Sequence, residues 1–405
     1  KINKELGALY QQDNELKELL DLAQKVEGNA RHVSVHAAGV VIGPEVLTSF
    51  TPLQKETTGE KIITQYDMHD VEEVGLVKMD FLGIRNLSIL GQAIDIVFKS
   101  DGKRINLDEI PLDDKKAFDL LARGETMGLF QLGSTGMTRY LKELKPTNVF
   151  DIMAMISLFR PGPMNSIPEF IERKHNPKKI SYFDKRMEDY LKESYGVIVY
   201  QDDVLLTAIN IAGYSWEEAD KFRKAMGKKI PAEMFRQKEK FIEGCIKNGV
   251  SQAKAEQLFK LIEPFAAYGF NKAHAASYAI IAYQTAYMKA NYPVEFMTAV
   301  MTAESDDPDK IAAAVAECAK MKIDVLPPDV NKSETGFTIV DADGLPRSSR
   351  GAGQADHRGI RFGLSAIKNV GTAAIEAILS QRTLSGEFKS LNDFVGRVNL
   401  RIVNR

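Results

Sequence analysis

Cysteine is nearly missing from this sequence: 405 residues contain only Cys245 and Cys318. Two thiols cannot build a disulfide framework or a C-x-x-C metal site, so a reducing, cytoplasmic setting is expected. Long apolar runs are also missing. The best candidate, AHAASYAIIAYQTAYMKA (273–290), is interrupted by His274, Ser277, Gln284 and Thr285, so no membrane partner is expected. There is no G-x-x-x-x-G-K-[ST] loop, no H-E-x-x-H spacing and no G-x-S-x-G elbow, which argues against P-loop, zincin and serine-hydrolase chemistry. Neither charge sign dominates. With 53 Lys and Arg against 55 Asp and Glu, the formal net charge is −2, so local charge must decide whether nucleic acid is a partner. An apolar leader is absent as well, and the chain opens on Lys1 instead of Met, as expected of a piece of a larger protein.

What is present fits a globular protein of two or three domains, with 44% hydrophobic and 27% charged residues. Residues 1–28 carry leucines at 6, 9, 16, 19, 20 and 22 among charges and predict a helical tail. HVSVHAAGVVIGP, KIITQYD (61–67) and VGLVKMDFLG (74–83) predict three short strands, and 86–98 predicts a helix. From about 105 to 325 the pattern is mostly helical. Starts are marked by Asp113 or Asp114, by Ser215, and by Ser305 before an acidic first turn with a proline. VLPPDVN (325–331) predicts a linker, and 341–359, poor in apolar residues, predicts a flexible loop.

Several stretches could carry chemistry. In VGLVKMDFLG a strand period of two puts Leu76, Lys78, Asp80 and Leu82 on one face. Gly75, Val77, Met79 and Phe81 take the other, expected to pack on a core. A carboxylate beside a lysine suits a Mg²⁺–phosphate site, and equally an exposed salt bridge. In LFRPGPM (158–164), two prolines around Gly162 hold Arg160 at a rigid turn, suited to phosphate contact or simply to ending a helix. Residues 221–240 hold eight Lys or Arg against two Glu. Lys221, Lys224 and Lys228 share a helix face beside Arg223, with Lys229 following. That is a basic face for a triphosphate or a nucleic-acid backbone, unless it is only a solvated surface. Between 265 and 293, Tyr268, Phe270, Tyr278, Tyr283 and Tyr287 alternate with Asn271, Lys272, His274 and Gln284. Such a mixture can stack on bases, or it can be a buried helix with satisfied hydroxyls. In LSAIKNVGTAAIEAILSQR (364–382), a helix ending at Asn369, a turn at Gly371 and a helix from Thr372 predict a hairpin that could grip phosphates. His32 and His36 give a weak metal pair with no third ligand.

In order along the chain, HAAGVVIGP, ITQYDMHDVEEVGLVKMDFLGIRNL, GLFQLGSTGM, LFRPGPM, GVIVYQDDVL, AGYSWEEADKFRKAMGKK, YGFNKAHAASYAIIAYQTAYMKANYP and IRFGLSAIKNVG resemble the alpha subunits of bacterial DNA polymerase III, the C-family replicative polymerases. The resemblance implies an α+β, mainly α, chain. Residues 1–28 would end a thumb, 29–87 would be the C-terminal part of a palm built like the polymerase β nucleotidyltransferases, and 88–340 would be fingers. The loop 341–359 and a helix-hairpin-helix region, 360–405, would follow. The implied activity is template-directed deoxynucleotidyl transfer. Asp80 matches one of three catalytic aspartates that hold two Mg²⁺ ions, and Lys78 a lysine facing the nucleotide phosphates. Arg223, Lys224, Lys228 and Lys229 match a basic cluster for the triphosphate, and Tyr268, Asn271, Lys272 and His274 a polar knot beside the nascent base pair. Implied partners are primer–template DNA, deoxynucleoside triphosphates, the sliding clamp and other replicative subunits. The family's PDxDxDF motif is missing here, and Asp341-x-Asp343 sits in the wrong context to replace it. The chain is therefore expected to be a fragment, inactive by itself, with a non-catalytic nucleic-acid-binding module as the alternative reading.

Overall fold

The computed structural model describes residues 4–29, 32–57, 59–228, 231–268, 270–341 and 358–403, with backbone alone at 4, 5, 8, 226–228, 231–232 and 264–268. The chain divides into two compact units, Lys1–Ile84 and Arg85–Arg405.

In the first unit, helices Lys4–Gln12 and Asn14–Val26 meet at Asp13, whose carboxylate caps the second by accepting the N–H groups of Glu15 and Leu16. Two antiparallel ribbons follow. β1 (Gly39–Ile42) pairs with β4 (Val77–Asp80), and β2 (Leu53–Lys55) pairs with β3 (Ile62–Thr64). The register sets Gly39 opposite Asp80 and Val41 opposite Lys78. The expected strand through HVSVHAAGVVIGP is thus confined to Gly39–Ile42. β2 was not expected at all, because LQK lacks the apolar alternation that marks a strand.

One expectation is reversed. On β4 the face of Val77, Met79 and Phe81 does not pack on a core; these residues are 57%, 45% and 61% exposed. The covered face is the one carrying buried Leu76 and mostly covered Lys78. Helix Met68–Glu73 leads into β4 and buries Val71. Among the described residues of this unit only Thr51, Val71 and Leu76 are buried, too little apolar area for an independent core.

The second unit is helical around the helix Lys272–Asn291, which packs against Arg85–Asp101, Lys115–Arg123, Val149–Leu158 and Pro293–Ala303. Its ends are well fixed. Near the C-terminal end, buried Lys289 donates to the carbonyls of Glu125 (2.8 Å) and Met127 (2.9 Å) and to the Glu317 carboxylate (2.7 Å). In the middle, the Tyr283 hydroxyl donates to the Pro111 carbonyl and accepts from the Asp114 N–H. Asp114 also caps Lys115–Arg123, and Gly124, at φ +75°, closes that helix in the left-handed region.

Gln201–Asn210, Trp216–Lys228, Pro231–Lys247 and Gln252–Tyr268 form a second helical group. It closes over Tyr214, Phe222, Phe241 and Phe259, with the rings of Phe222 and Phe241 stacked at 5.5 Å. Ser215 and Glu218 make a reciprocal capping box ahead of Trp216–Lys228. The expected linker 325–331 begins as a strand. β5 (Val325–Leu326) pairs parallel to β7 (Arg358–Arg361), and β7 pairs antiparallel to β6 (Thr338–Asp341). The expected flexible loop 341–359 lies outside the described residues except at its ends, where Asp341 and Arg358 are register partners. Beyond it, Leu364, Ile375, Ile378, Phe388 and Val398 join helices Thr372–Ser385 and Leu391–Arg397 into one cluster. The helix expected to end at Asn369 is only a three-residue 3₁₀ turn, Leu364–Ala366. The left-handed residue is Asn369, at φ +68°, while Gly371 is extended, at φ −79°. Asparagine tolerates that conformation through its short polar side chain. Among the described residues, no helix is long and apolar enough to cross a membrane.

Candidate functional site

In the first unit the candidate centre is Asp80, at the end of β4. Its carboxylate lies 3.0 and 3.2 Å from the Lys78 ammonium and 3.7 Å from His36 Nδ1. Gly39 leaves room for this: a Cβ there would sit 3.0 Å from His36 Nδ1 and 3.2 Å from Cγ, so a larger residue would press the His36 ring a few tenths of an ångström away from the strand end opposite Asp80. The Asp80 side chain remains 53% exposed and that of Lys78 only 17%. The lysine is therefore held along the ribbon while the carboxylate faces outward. His36 stands here without His32, because residues 32–36 are not a strand that would align the pair. Asp80 offers one oxygen-donor group of the kind Mg²⁺ takes. Among the described residues no cluster of three or more His, Cys, Asp or Glu gathers for a metal. The residues present thus fit one ligand of a metal centre and not a complete two-ion site.

In the second unit the expected residues converge at the start of Lys272–Asn291. The turn after Val149–Leu158 places the Arg160 guanidinium 3.9 Å from the centre of the Phe270 ring. Gly162, at φ +101°, allows that turn. Arg160 has no ion pair among the described residues, and burial pulls its pKa below the usual value while it stays charged. Aromatic contacts continue from Phe270 to His274 (4.9 Å), His274 to Tyr278 (4.1 Å) and Tyr278 to Phe130 (5.0 Å). Asn271 caps the helix by accepting the His274 N–H at 2.9 Å, which occupies its Oδ1. The Lys272 ammonium lies 5.5 Å over the Tyr200 ring and 3.7 Å from Glu193.

The basic face is less bare than its sequence predicts. Arg223 (2.8 Å) and Lys224 (2.7 Å) share Asp220, and Lys221 (2.7 Å) pairs with Glu217. Both cations hold the Asp220 carboxyl below its usual range. Exposed pairs one turn apart are weak and can be exchanged for a polyanion. The Lys228 and Tyr268 side chains and the whole of Lys229 lie outside the described residues. Asn369 and Gly371 line an open hollow with Lys368, Ser305 and Pro308 at the start of Thr372–Ser385, and Gly371 offers that helix no side-chain cap.

Sequence reasoning missed the segment that supports this site. Asp202 accepts the Lys272 N–H at 2.9 Å, and Asp203 accepts those of Val199 and Tyr200 at 2.8 and 2.9 Å. The signal was the acidic pair just after an apolar strand-like run, where carboxylates often take up free N–H groups at a helix start. Burial pushes the Asp203 carboxyl up to about 7, against the pull of those two N–H groups and Lys272. Its folded pKa is above the ~3.9 of an unfolded aspartate. The stability tied to its proton is therefore full below about pH 4 and is lost as pH rises through about 7. Asp203→Asn is uncharged and can accept the same N–H groups. It should gain in Tm over the parent between about pH 5 and about pH 8, and an equal Tm difference at both values would contradict this.

Comparisons with known proteins agree along the chain. Residues 1–83 match the family described as bacterial DNA polymerase III alpha NTPase domain, 86–249 the bacterial DNA polymerase III alpha subunit finger domain, and 322–405 the helix-hairpin-helix motif. DNA polymerase III subunit alpha of Thermus aquaticus is 46% identical over 406 residues, covering 99% of this chain and 32% of the relative. The same subunit of Deinococcus radiodurans is 43% identical over 99% of this chain and 30% of its own length. That of Escherichia coli K12 is 43% identical over 99% and 34%. The chain thus spans about a third of the length of these curated relatives.

Proposed function

Because the chain belongs to the bacterial DNA polymerase III alpha-subunit family, we propose that it supplies nucleotide- and DNA-handling parts of a template-directed DNA polymerase. The observation that carries this reading is the Lys78–Asp80 pair, set on one strand with the lysine covered and the carboxylate exposed. The lysine stem lies along the ribbon and its ammonium stands beside an open carboxylate, an arrangement that can face phosphate and cation together.

In this reading the primer 3′-oxygen bonds to the α-phosphorus of a deoxynucleoside triphosphate while the bond to the pyrophosphate oxygen breaks. Asp80 would hold a Mg²⁺ ion, which when bound would stabilise negative charge on the reacting phosphate. Lys78 faces phosphate oxygens and offsets their charge. Arg160, Lys272 and His274 meet the nucleotide and the primer–template from the aromatic stack, with the Asn271 amide beside them, and Tyr268 is assigned to the same role. Arg223, Lys224, Lys228 and Lys229 take the triphosphate. Asn369 and Gly371 belong to the hairpin that meets DNA phosphates without reading sequence. The whole protein would work with the sliding clamp and other replicative subunits.

A second reading, a nucleic-acid-binding module without chemistry, is favoured by one observation. Asp80 has no companion carboxylates at its centre among the described residues, and two ions need several.

The triphosphate assignment is tested by Arg223→Ala with Lys224→Ala in the full-length gene product. Losing two charge-assisted contacts, and freeing Asp220 to repel phosphate, should raise the nucleotide KM about tenfold or more. The primer–template Kd should stay within about threefold, because backbone binding is spread over many cations. An unchanged KM would remove these residues from the nucleotide site.

A further inference from the structure

The start of Lys272–Asn291 is fastened to residues 199–203 from outside its own helix. The Gln201 N–H donates to the Phe270 carbonyl at 3.1 Å, and Tyr200 and Phe270 form a parallel bridge. The Asp202 carboxylate takes the Lys272 N–H. Asp203, 1% exposed, holds the loop itself by accepting from Val199 and Tyr200. Asn271 and Asp202 together occupy two N–H groups of the first turn, so this helix start is not an open anion site. With these two N–H groups taken, a phosphate or base is met chiefly by side chains, and their placement depends on where Phe270 and Lys272 are fixed. Arg160 rests on the ring of Phe270, and His274 packs against the ring's edge.

We infer that Asp202 is a positioning residue of the nucleotide-side face: by holding the Lys272 N–H it sets Phe270, and through that ring the approach of Arg160 and His274. The inference rests on the polymerase reading above. Asp202 does not touch the nucleotide. Its carboxylate acts through one backbone bond at the point where a loop and a helix meet, and loss of that bond lets the Phe270 segment shift. An ångström of misplacement at a binding group is enough to weaken it severalfold.

Steady-state extension by the full-length gene product provides the test, with nucleotide KM, kcat and primer–template Kd measured separately. Asp202→Ala removes the acceptor and should raise the KM about tenfold, as expected for one charge-assisted hydrogen bond, with kcat and DNA Kd within about twofold. Asp202→Asn still accepts the Lys272 N–H and should restore the KM to within about threefold of the parent. Arg160→Ala should raise the KM in the parent but add less than about twofold in the Asp202→Ala background, because coupled residues are not additive. If Asp202→Ala folds poorly, Asp202→Ser, polar but too short to reach, gives the same KM reading. A parental KM in an active Asp202→Ala or Asp202→Ser protein overturns the inference alone, as does an Asp202→Asn variant as impaired as Asp202→Ala. A full additive effect of Arg160→Ala also overturns it. No templated extension by the unaltered protein overturns the polymerase reading, and this inference with it.

Discussion

Asp80→Ala in the full-length gene product is expected to lower templated extension by on the order of 10³-fold or more while leaving primer–template binding within about threefold. The carboxylate is half exposed and contributes little to the ribbon. β1 and β4 are joined by backbone pairing from Gly39–Asp80 to Ile42–Val77, which the side chain does not enter. Removing it frees Lys78, which then attracts phosphate slightly more, so weaker DNA binding is not expected. What disappears is the negative group that can hold a cation against the reacting phosphate. Asp80→Asn, of equal size but unable to serve as an anionic ligand, should be nearly as inactive. Single-turnover incorporation read beside a DNA titration separates the two effects. Retained extension would show that Asp80 is only the acidic half of a surface pair.

Lys289→Met is expected to have the largest effect on stability, about 3–5 kcal/mol. Lys289 is fully buried, and its ammonium joins two carbonyls and the Glu317 carboxylate, itself nearly buried. Burial pulls the Lys289 pKa down, and Glu317 pulls it back. Methionine fills the space but leaves a carboxylate and two carbonyls in the interior without their donor. Lys289→Met with Glu317→Leu should recover part of the loss, since the Glu317 charge, left with only the exposed Lys320 ammonium at 3.6 Å, is gone while the two carbonyls remain unsatisfied. Urea unfolding of both variants gives the comparison. A single variant within about 1 kcal/mol of the parent would mean that water reaches this site. The bond network anchors the same helix that carries His274 and Tyr278, roughly 22 and 16 Å before Lys289 along the axis.

Local rules in the sequence carried much of the fold. The Asp114 and Ser215 starts are real caps, and the strand period placed Lys78 and Asp80 on one face of β4. Period two cannot say which face is covered, and the apolar face of Val77, Met79 and Phe81 proved to be the open one. Pairing of the basic helix was within reach. Asp220 and Glu217 stand three and four residues before their partners, but a charge count beginning at 221 cut them off. The long-range bonds were out of reach. Asp202 and Lys272 are 70 positions apart, and Lys289 and Glu317 are 28 apart. No propensity or spacing links such residues, because only tertiary packing brings them together. The hairpin shows a third kind of miss. LSAIK has helix-forming residues, yet the segment turns after Ala366, where Leu364 and Ile367 are drawn into the cluster with Ile375 and Phe388.

Primer extension on templates that differ in one unpaired base tests the central claim most directly. The full-length gene product, supplied with Mg²⁺ and one deoxynucleoside triphosphate at a time, should extend the primer only when the nucleotide complements that base, and the Asp80→Ala protein should not. Binding of the same primer–templates with no templated addition by the unaltered protein would contradict the polymerase assignment and leave a nucleic-acid-binding module.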